Sequence, residues 1–352
     1  MADNAKIDYL VIGQGVAGTM LSHFLLKENK RIFVADLEHH SSSSRVAAGV
    51  FNPITGMRLV KTWKVETLFP FAKKTYLELE ELLKQKFYHE KNTYRLFSSI
   101  AEQNDWAFKR SSANAGQYME DRADDKTYTS QLANEFGGFE IRGSGYVDIE
   151  ALVSAYRDYL GTKELLLPGK FKYEELEIQN GKVHWNSITA KKIIFCEGYG
   201  AVNNPYFSYL PLAPVKGELL TIHSKDLQIE TIINKGIYII PLGDHRFRVG
   251  ATYDFNNINE ETTETGRREI ETKLKALLKV PYTIEDHRAG IRPATKDRRP
   301  FLGFHPLHPE LAIFNGLGTK GISLAPYFAH HLTQVLEHAA QLDPETDIRR
   351  FR

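Results

Sequence analysis

The opening of the chain restricts the fold more than any other stretch. Asp8-Tyr-Leu-Val-Ile-Gly13-Gln-Gly15-Val-Ala-Gly18 is followed by Arg31-Ile-Phe-Val-Ala-Asp36. Residues 9–12 are a short apolar run. Residues 16–26 carry apolar side chains at helical spacing, and 32–35 form a second apolar run that ends in an acid. The order strand, glycine turn, helix, strand, carboxylate predicts a βαβ unit that holds a dinucleotide. Gly13 permits the tight turn off the strand, Gly15 lets the backbone approach a pyrophosphate, and Gly18 lets the helix pack close to the sheet. The helix N-terminus offers free N–H groups and a positive dipole end to phosphates. Asp36 is set to accept hydrogen bonds from the adenosine ribose. By itself this motif leaves FAD and NAD both open.

At 352 residues the chain can hold one large domain or two intertwined ones. A formal charge of +1 supplies no global basic field for collecting nucleic acid or anionic membrane. The single Cys196 excludes an internal disulfide and a CxxC metal site. His39-His40 and His330-His331 are adjacent pairs without metal-ligand spacing, so no metal is expected. The first apolar run is short, broken by glycines and preceded by Asp3 and Asp8, unlike a signal peptide. No run reaches membrane-spanning length, and a cytoplasmic protein without a membrane partner is the expectation.

Further along, the spacing predicts helices over 70–87, 149–160 (Asp148 as N-cap), 260–278 and 322–340. Strands are expected at 94–98, 172–178, 182–186, 192–196, 218–223, 236–240, 245–253 and 311–314, with Asn180-Gly181 as a hairpin turn. Residues 99–140 read as polar and irregular. The pattern is α/β at both ends and mostly antiparallel β between. It predicts a Rossmann-type α/β nucleotide domain assembled from residues 1–90, 145–208 and 286–352. A mostly antiparallel β (α+β) substrate domain is inserted at 91–144 and 209–285, with ligands between the two.

Three further segments extend the reading. They are Ser43-Ser-Arg-Val-Ala-Ala-Gly49-Val-Phe-Asn52-Pro53, then His287-Arg-Ala-Gly-Ile-Arg292-Pro293 running on to Gly303, and Asn315-Gly-Leu-Gly318-Thr-Lys320-Gly321-Ile-Ser-Leu-Ala-Pro326. In this order, with the N-terminal fingerprint, they resemble the D-amino-acid oxidase family of FAD-dependent amine oxidoreductases, nearest to glycine oxidase and the MnmC oxidoreductase domain. The resemblance runs from about residue 7 to the C-terminus and is weakest between 95 and 140.

The resemblance implies non-covalent FAD rather than NAD. It implies that Gly13, Gly15, Val16, Ala17 and Gly18 line the pyrophosphate, with Asp36 and Leu37 at the adenosine. Ser43, Ser44, Ala48, Gly49 and Val50 run along the ribityl chain and ring, and Phe171 or Lys172 covers the adenine. Gly198, at the end of a returning strand, joins the nucleotide side. Gly318, Thr319, Lys320, Gly321 and Ile322 meet the flavin ring, where a helix N-terminus can face the pyrimidine. For substrate, the resemblance assigns a carboxylate clamp to Arg292, whose fork binds bidentately. It adds Tyr238 as a donor and Tyr253 as a pocket-lining residue. Lys320 and Asn52 match the MnmC group better than glycine oxidase, which has an arginine where this chain has Thr319. The implied reaction is oxidation of a small amino acid or secondary amine by hydride transfer to flavin N5. The imine hydrolyses in water, and oxygen or another acceptor takes the electrons. Two alternatives stand beside it: an MnmC-like enzyme removing a carboxymethyl group from a tRNA base, the one reading with a nucleic-acid partner, and a non-catalytic flavin-binding protein.

Overall fold

The computed structural model describes residues 5–38, 41–56, 58–112, 114–122 and 128–351, so the pair His39-His40 lies outside the described residues. The chain begins as its glycines require. Strand β1 (Ala5–Ile12) leads into helix α1 (Val16–Lys27) and strand β2 (Ile32–Asp36). β1 lies between β2 and the strand Ile188–Phe195, parallel to both, with Tyr9 opposite Ile32 and Lys192. The expected return of the 192–196 segment to this sheet is therefore observed. Leu166–Pro168 extends the sheet beyond β2, and Leu311–Asn315 pairs in parallel with the end of Ile188–Phe195. The hairpin Leu176–Gln179 and Lys182–Trp185 adds to its other half through Asn180 and Gly181, both left-handed at φ 51° and 69°. The strands are buried because helices cover one face and an aromatic cluster around Phe195 and Trp185 covers the other.

A second sheet of eight strands runs in the order Thr283–Arg292, Val215–His223, Arg246–Gly250, Tyr238–Gly243, Ile232–Asn234, Thr93–Leu96, Gly138–Ile141 and Met119–Arg122. Side chains alternate across it. Leu220, Ile222, Phe247 and Val249 meet Ile270, Leu274 and Leu277 of the helix Glu264–Leu277. The opposite face carries Gly217, Leu219 and Arg292 and turns towards helix α2 (Ser43–Val46) of the first domain. Contact there is close: a Cβ on Gly290 would stand 3.1 Å from the Cβ of Val46.

Several elements differ from expectation. The helix expected over 70–87 is Val65–Leu83, with Pro70 inside it. Its buried stripe of Val65, Leu68, Ala72, Tyr76 and Leu79 outweighs the one hydrogen bond that a proline withholds. The strand expected at 172–178 is a 3-10 turn, Tyr173–Glu175, and then Leu176–Gln179. The stretch 99–140 is not irregular. It holds the helix Ile100–Arg110, capped by Ser99, and two strands of the second sheet. Only Trp106 of that helix is buried, so its periodic signal is faint. The longest strand, Thr283–Arg292, was not anticipated, since Glu285, Asp286, His287 and Arg288 read as surface. It crosses the boundary expected between 285 and 286 and pairs throughout with Val215–His223.

Candidate cofactor and substrate site

The glycine turns from the two ends of the chain meet. Gly13 sits at φ 98°, and a Cβ there would fall 2.6 Å from the carbonyl oxygen of Cys196. A Cβ on Gly18 would fall 1.8 Å from the Gly13 oxygen, so only glycine lets α1 start against the turn. A Cβ on Gly321, the first residue of the helix Gly321–His338, would stand 3.3 Å from Cγ1 of Val16. The N-termini of α1 and of this last helix are therefore adjacent, and the first-turn N–H groups of each lack intrahelical acceptors. Val16 N–H already donates to an added oxygen, Ser44 Oγ, at 3.0 Å. A cradle of two dipole ends and close-packed glycine backbone suits an elongated anion with a pyrophosphate.

The flanks are tied to this cradle. Asp36 Oδ1 accepts from Gln14 N–H at 2.8 Å, and Oδ2 accepts from Glu38 N–H and from Arg157 Nη1 at 2.7 Å. The acid thus braces the glycine turn and keeps a lone pair on Oδ1 for a ribose hydroxyl. Arg157 was not anticipated. Its signal was a charge on the apolar face of the helix Ile149–Thr162, beside Val153, Tyr156 and Leu160. Leu37 projects into solvent. Asn315 Nδ2 donates to Gly198 O at 2.9 Å, joining the returning strand to the last glycine turn. Gly49 backbone bonds Val147 N–H at 2.9 Å, while Ala48 and Val50 pack in a small cluster with Tyr146, Tyr238 and Ile240. Ser43 lies under Gly290. Ile322 is buried, and its carbonyl accepts from Tyr76 Oη at 2.6 Å. Phe171 is buried, and its ring packs with Trp185, Phe195 and Tyr173 in the core of the first sheet.

The substrate candidates gather on the sheet face across from the last glycine turn. Gly318 N–H donates to Pro293 O at 3.1 Å, which fastens that turn to the segment carrying Arg292. Arg292 Nη1 donates to the carbonyls of Lys216 (3.3 Å) and Thr252 (3.2 Å), and its guanidinium lies 4.7 Å from the ring centre of Tyr253. Among the described residues no carboxylate pairs with it. Burial pulls its pKa down, and only the Tyr253 hydroxyl opposes this. Tyr238 opens its strand; burial raises its phenol pKa, while Arg95 and a hydrogen bond with Asn52 hold it lower. Asn52 O accepts from Thr62 Oγ1 at 2.8 Å, and Thr62 Oγ1 accepts from Lys320 Nζ at 3.3 Å. Lys320 follows Thr319 at the end of the turn Gly318–Lys320. Its pKa is lowered by burial and then by Arg298 and Arg299. All five expected substrate residues thus fall in one neighbourhood, with Thr62 and Gly217 as unanticipated members. Polar wall residues at scattered positions leave no spacing to read.

Charge elsewhere is largely balanced. Arg299 pairs with Glu345, Arg350 with Asp297, and Lys64 with Asp343 and Glu345. At the other end of the sheet face a cavity of about 330 Å³ lies between Arg45, Tyr146, Arg246, Arg248 and Arg288. Arg288 there is held by Asp286 and Glu150, and Arg246 by Glu285. Arg288 and Arg292 are four residue steps apart on one strand, about 13 Å at strand rise, so this cavity is apart from the Arg292 neighbourhood. His330 and His331 face different neighbours: His330 packs on Phe24 and Phe71, and His331 Nε2 accepts from Asp343 N–H. No group of three potential metal ligands occurs among the described residues, and no helix among them is long and apolar enough to cross a membrane.

Comparison with known proteins shows the family and the fold. The family model for FAD dependent oxidoreductases (DAO) matches residues 8–335. A glycine oxidase of Bacillus subtilis (strain 168) is 24% identical over 90% of this chain and 89% of its own length. The bifunctional tRNA 5-methylaminomethyl-2-thiouridine biosynthesis protein MnmC of Marinobacter nauticus is 23% identical over 92% of this chain, which spans 54% of that protein. Among solved structures, glycine oxidase from Geobacillus kaustophilus superposes with a TM-score of 0.80 at 21% identity, covering 97% of this chain and 98% of the other.

Proposed function

The chain belongs to the DAO family of FAD-dependent oxidoreductases, and from that premise we propose that it oxidises a small amino acid or secondary amine. The observation that carries the reading is the partly buried guanidinium of Arg292, which no carboxylate among the described residues pairs, on the segment to which the last glycine turn is fastened. Bound without a covalent link, FAD supplies the hydride acceptor, and α1, Ser44, Asp36 and the turn Gly318–Lys320 hold it. Arg292 grips the substrate carboxylate with its fork, and Tyr238 donates to the same group. That grip orients the amine-bearing C–H bond, and fixed geometry is itself a large part of such catalysis. No side-chain base is required if the amine binds neutral, and the released imine hydrolyses in water. Oxygen or another acceptor takes the electrons away.

The test is an anaerobic screen of amino acids and N-alkyl glycines against the purified yellow protein. Bleaching of the flavin absorbance by one class of amine is the expected outcome. Retention of colour with every amine overturns the reading.

A second reading, removal of a carboxymethyl group from a tRNA base, rests on the resemblance of the Lys320 and Asn52 segments to the MnmC group. The salt-bridged surroundings of Arg299, Arg350 and Lys64 weigh against it, because tRNA retention needs unpaired positive charge. Absence of tRNA retention at low salt removes it.

A further inference from the structure

We infer that the substrate carries two acidic groups, the first held by Arg292 and the second by Lys320. The inference rests on the amine-oxidation reading and adds the class of amine. A buried cation without a counter-charge is costly, and proteins pair such groups or leave them for a ligand. Arg292 and Lys320 are partly buried cations without one among the described residues. Among the described residues, Arg292 has only backbone carbonyls and the Tyr253 ring as partners, and Lys320 Nζ has only the hydroxyl of Thr62. Arg298 and Arg299 are the charges felt by Lys320, and the acids beside that segment are engaged elsewhere: Asp297 with Arg350, Asp343 with Lys64, and Glu345 with Arg299 and Lys64.

The two cations belong to one wall. Tyr253 lies on Arg292, and Tyr253 and Tyr238 interact electrostatically. Tyr238 bonds Asn52, Asn52 bonds Thr62, and Thr62 bonds Lys320. The segments bearing them are fastened by the Gly318–Pro293 hydrogen bond. A monocarboxylic amine such as glycine neutralises one end of this wall and leaves the other charged. A dicarboxylic amine neutralises both. Burial lowers the pKa of each group, and a bound anion opposes that by favouring the charged form.

The test uses the FAD-loaded protein and non-oxidisable acids as probes. Acetate and propionate are compared with malonate, succinate and glutarate by calorimetry and by perturbation of the flavin absorption bands. One charge-assisted contact predicts that the best dicarboxylate binds about ten- to a hundredfold more tightly than the monocarboxylates. In Lys320→Met the ratio falls to about one, and Lys320→Arg restores part of it, because the charge returns. In turnover, dicarboxylic amines exceed glycine and sarcosine by a similar factor in kcat/KM. Equal binding of mono- and dicarboxylates by the unaltered protein overturns the inference. So does a Lys320→Met protein that keeps its ratio, or one that weakens both classes in parallel while shifting the flavin potential, which would assign Lys320 to the flavin. If no amine bleaches the flavin, the amine-oxidation reading fails, whereas the acid-binding ratio still decides the role of Lys320.

Discussion

The guanidinium of Arg292 occupies the space that a side chain at Gly217 would fill. A Cβ on Gly217 would lie 2.1 Å from Nη2 and 2.3 Å from Cζ. Gly217 is one strand over, on the same face of the ladder, where Val215 pairs with Arg292. The glycine thus sets the direction of the arginine fork, which then rests on the carbonyls of Lys216 and Thr252.

This relationship predicts two graded defects. Arg292→Met should cost about 2–5 kcal/mol of substrate stabilisation, which is tens- to thousands-fold in kcat/KM. Gly217→Ala should leave the fold intact, as judged by circular dichroism, and raise KM by displacing the fork. Unchanged kinetics for the best substrate in both variants would remove Arg292 from the site.

The flavin end depends on Arg157. Its ion pair with Asp36 is shielded, with 10% and 19% of the two side chains exposed, and Asp36 in turn holds Gln14 N–H in the glycine turn. Arg157→Met should weaken FAD binding by about 1.5–3 kcal/mol, the range for a hydrogen bond to a charged group. Fluorescence titration of the apoprotein with FAD measures it. An affinity within twofold of the parent would show that Asp36 is held without Arg157.

Acid should loosen the first domain through His23. This residue of α1 is buried against Phe24 and Tyr156, and Nε2 has no hydrogen-bond partner among the described residues. Burial, helped by Lys27, pushes its pKa down to about 4 from the ordinary 6.5. With the folded pKa below the unfolded one, the unfolded chain takes up the proton first. The contribution is complete above about pH 6.5 and is lost as pH falls towards 4, about 3 kcal/mol in all. His23→Leu should flatten this part of the stability profile, as read by thermal unfolding at pH 7, 6 and 5. A profile that keeps its slope would assign the acid sensitivity elsewhere.

The second domain has its own buried network. Lys216 and Glu218 are almost wholly buried, 3.5 Å apart. Glu218 also accepts from Thr263 N–H and Oγ1 and meets His287 Nε2 at 2.8 Å. Glu218→Ala removes the acceptor for all of these and strands the Lys216 charge. The expected loss is about 3–5 kcal/mol in denaturant unfolding. The carbonyl of Lys216 also supports Arg292, so a rise in KM should accompany the loss of stability.

The amino-acid order alone determined the βαβ opening, the Asn180-Gly181 hairpin and the glycine-rich turn at 316–321, because each is written in neighbouring residues with strong local conformational preference. It also pointed, through resemblance, to Arg292, Tyr238, Lys320 and Asn52. What it left unwritten is everything that depends on residues far apart in the chain. Thr283–Arg292 reads as surface and becomes the longest strand only when Val215–His223 supplies its ladder. Gly217 reads as one glycine among many until the guanidinium from 75 positions later needs its space. Arg157, Thr62 and Asn315 gained their roles the same way, from partners on other elements. Long-range pairing and the absence of a counter-charge are properties of the packed chain, and only tertiary structure decides them.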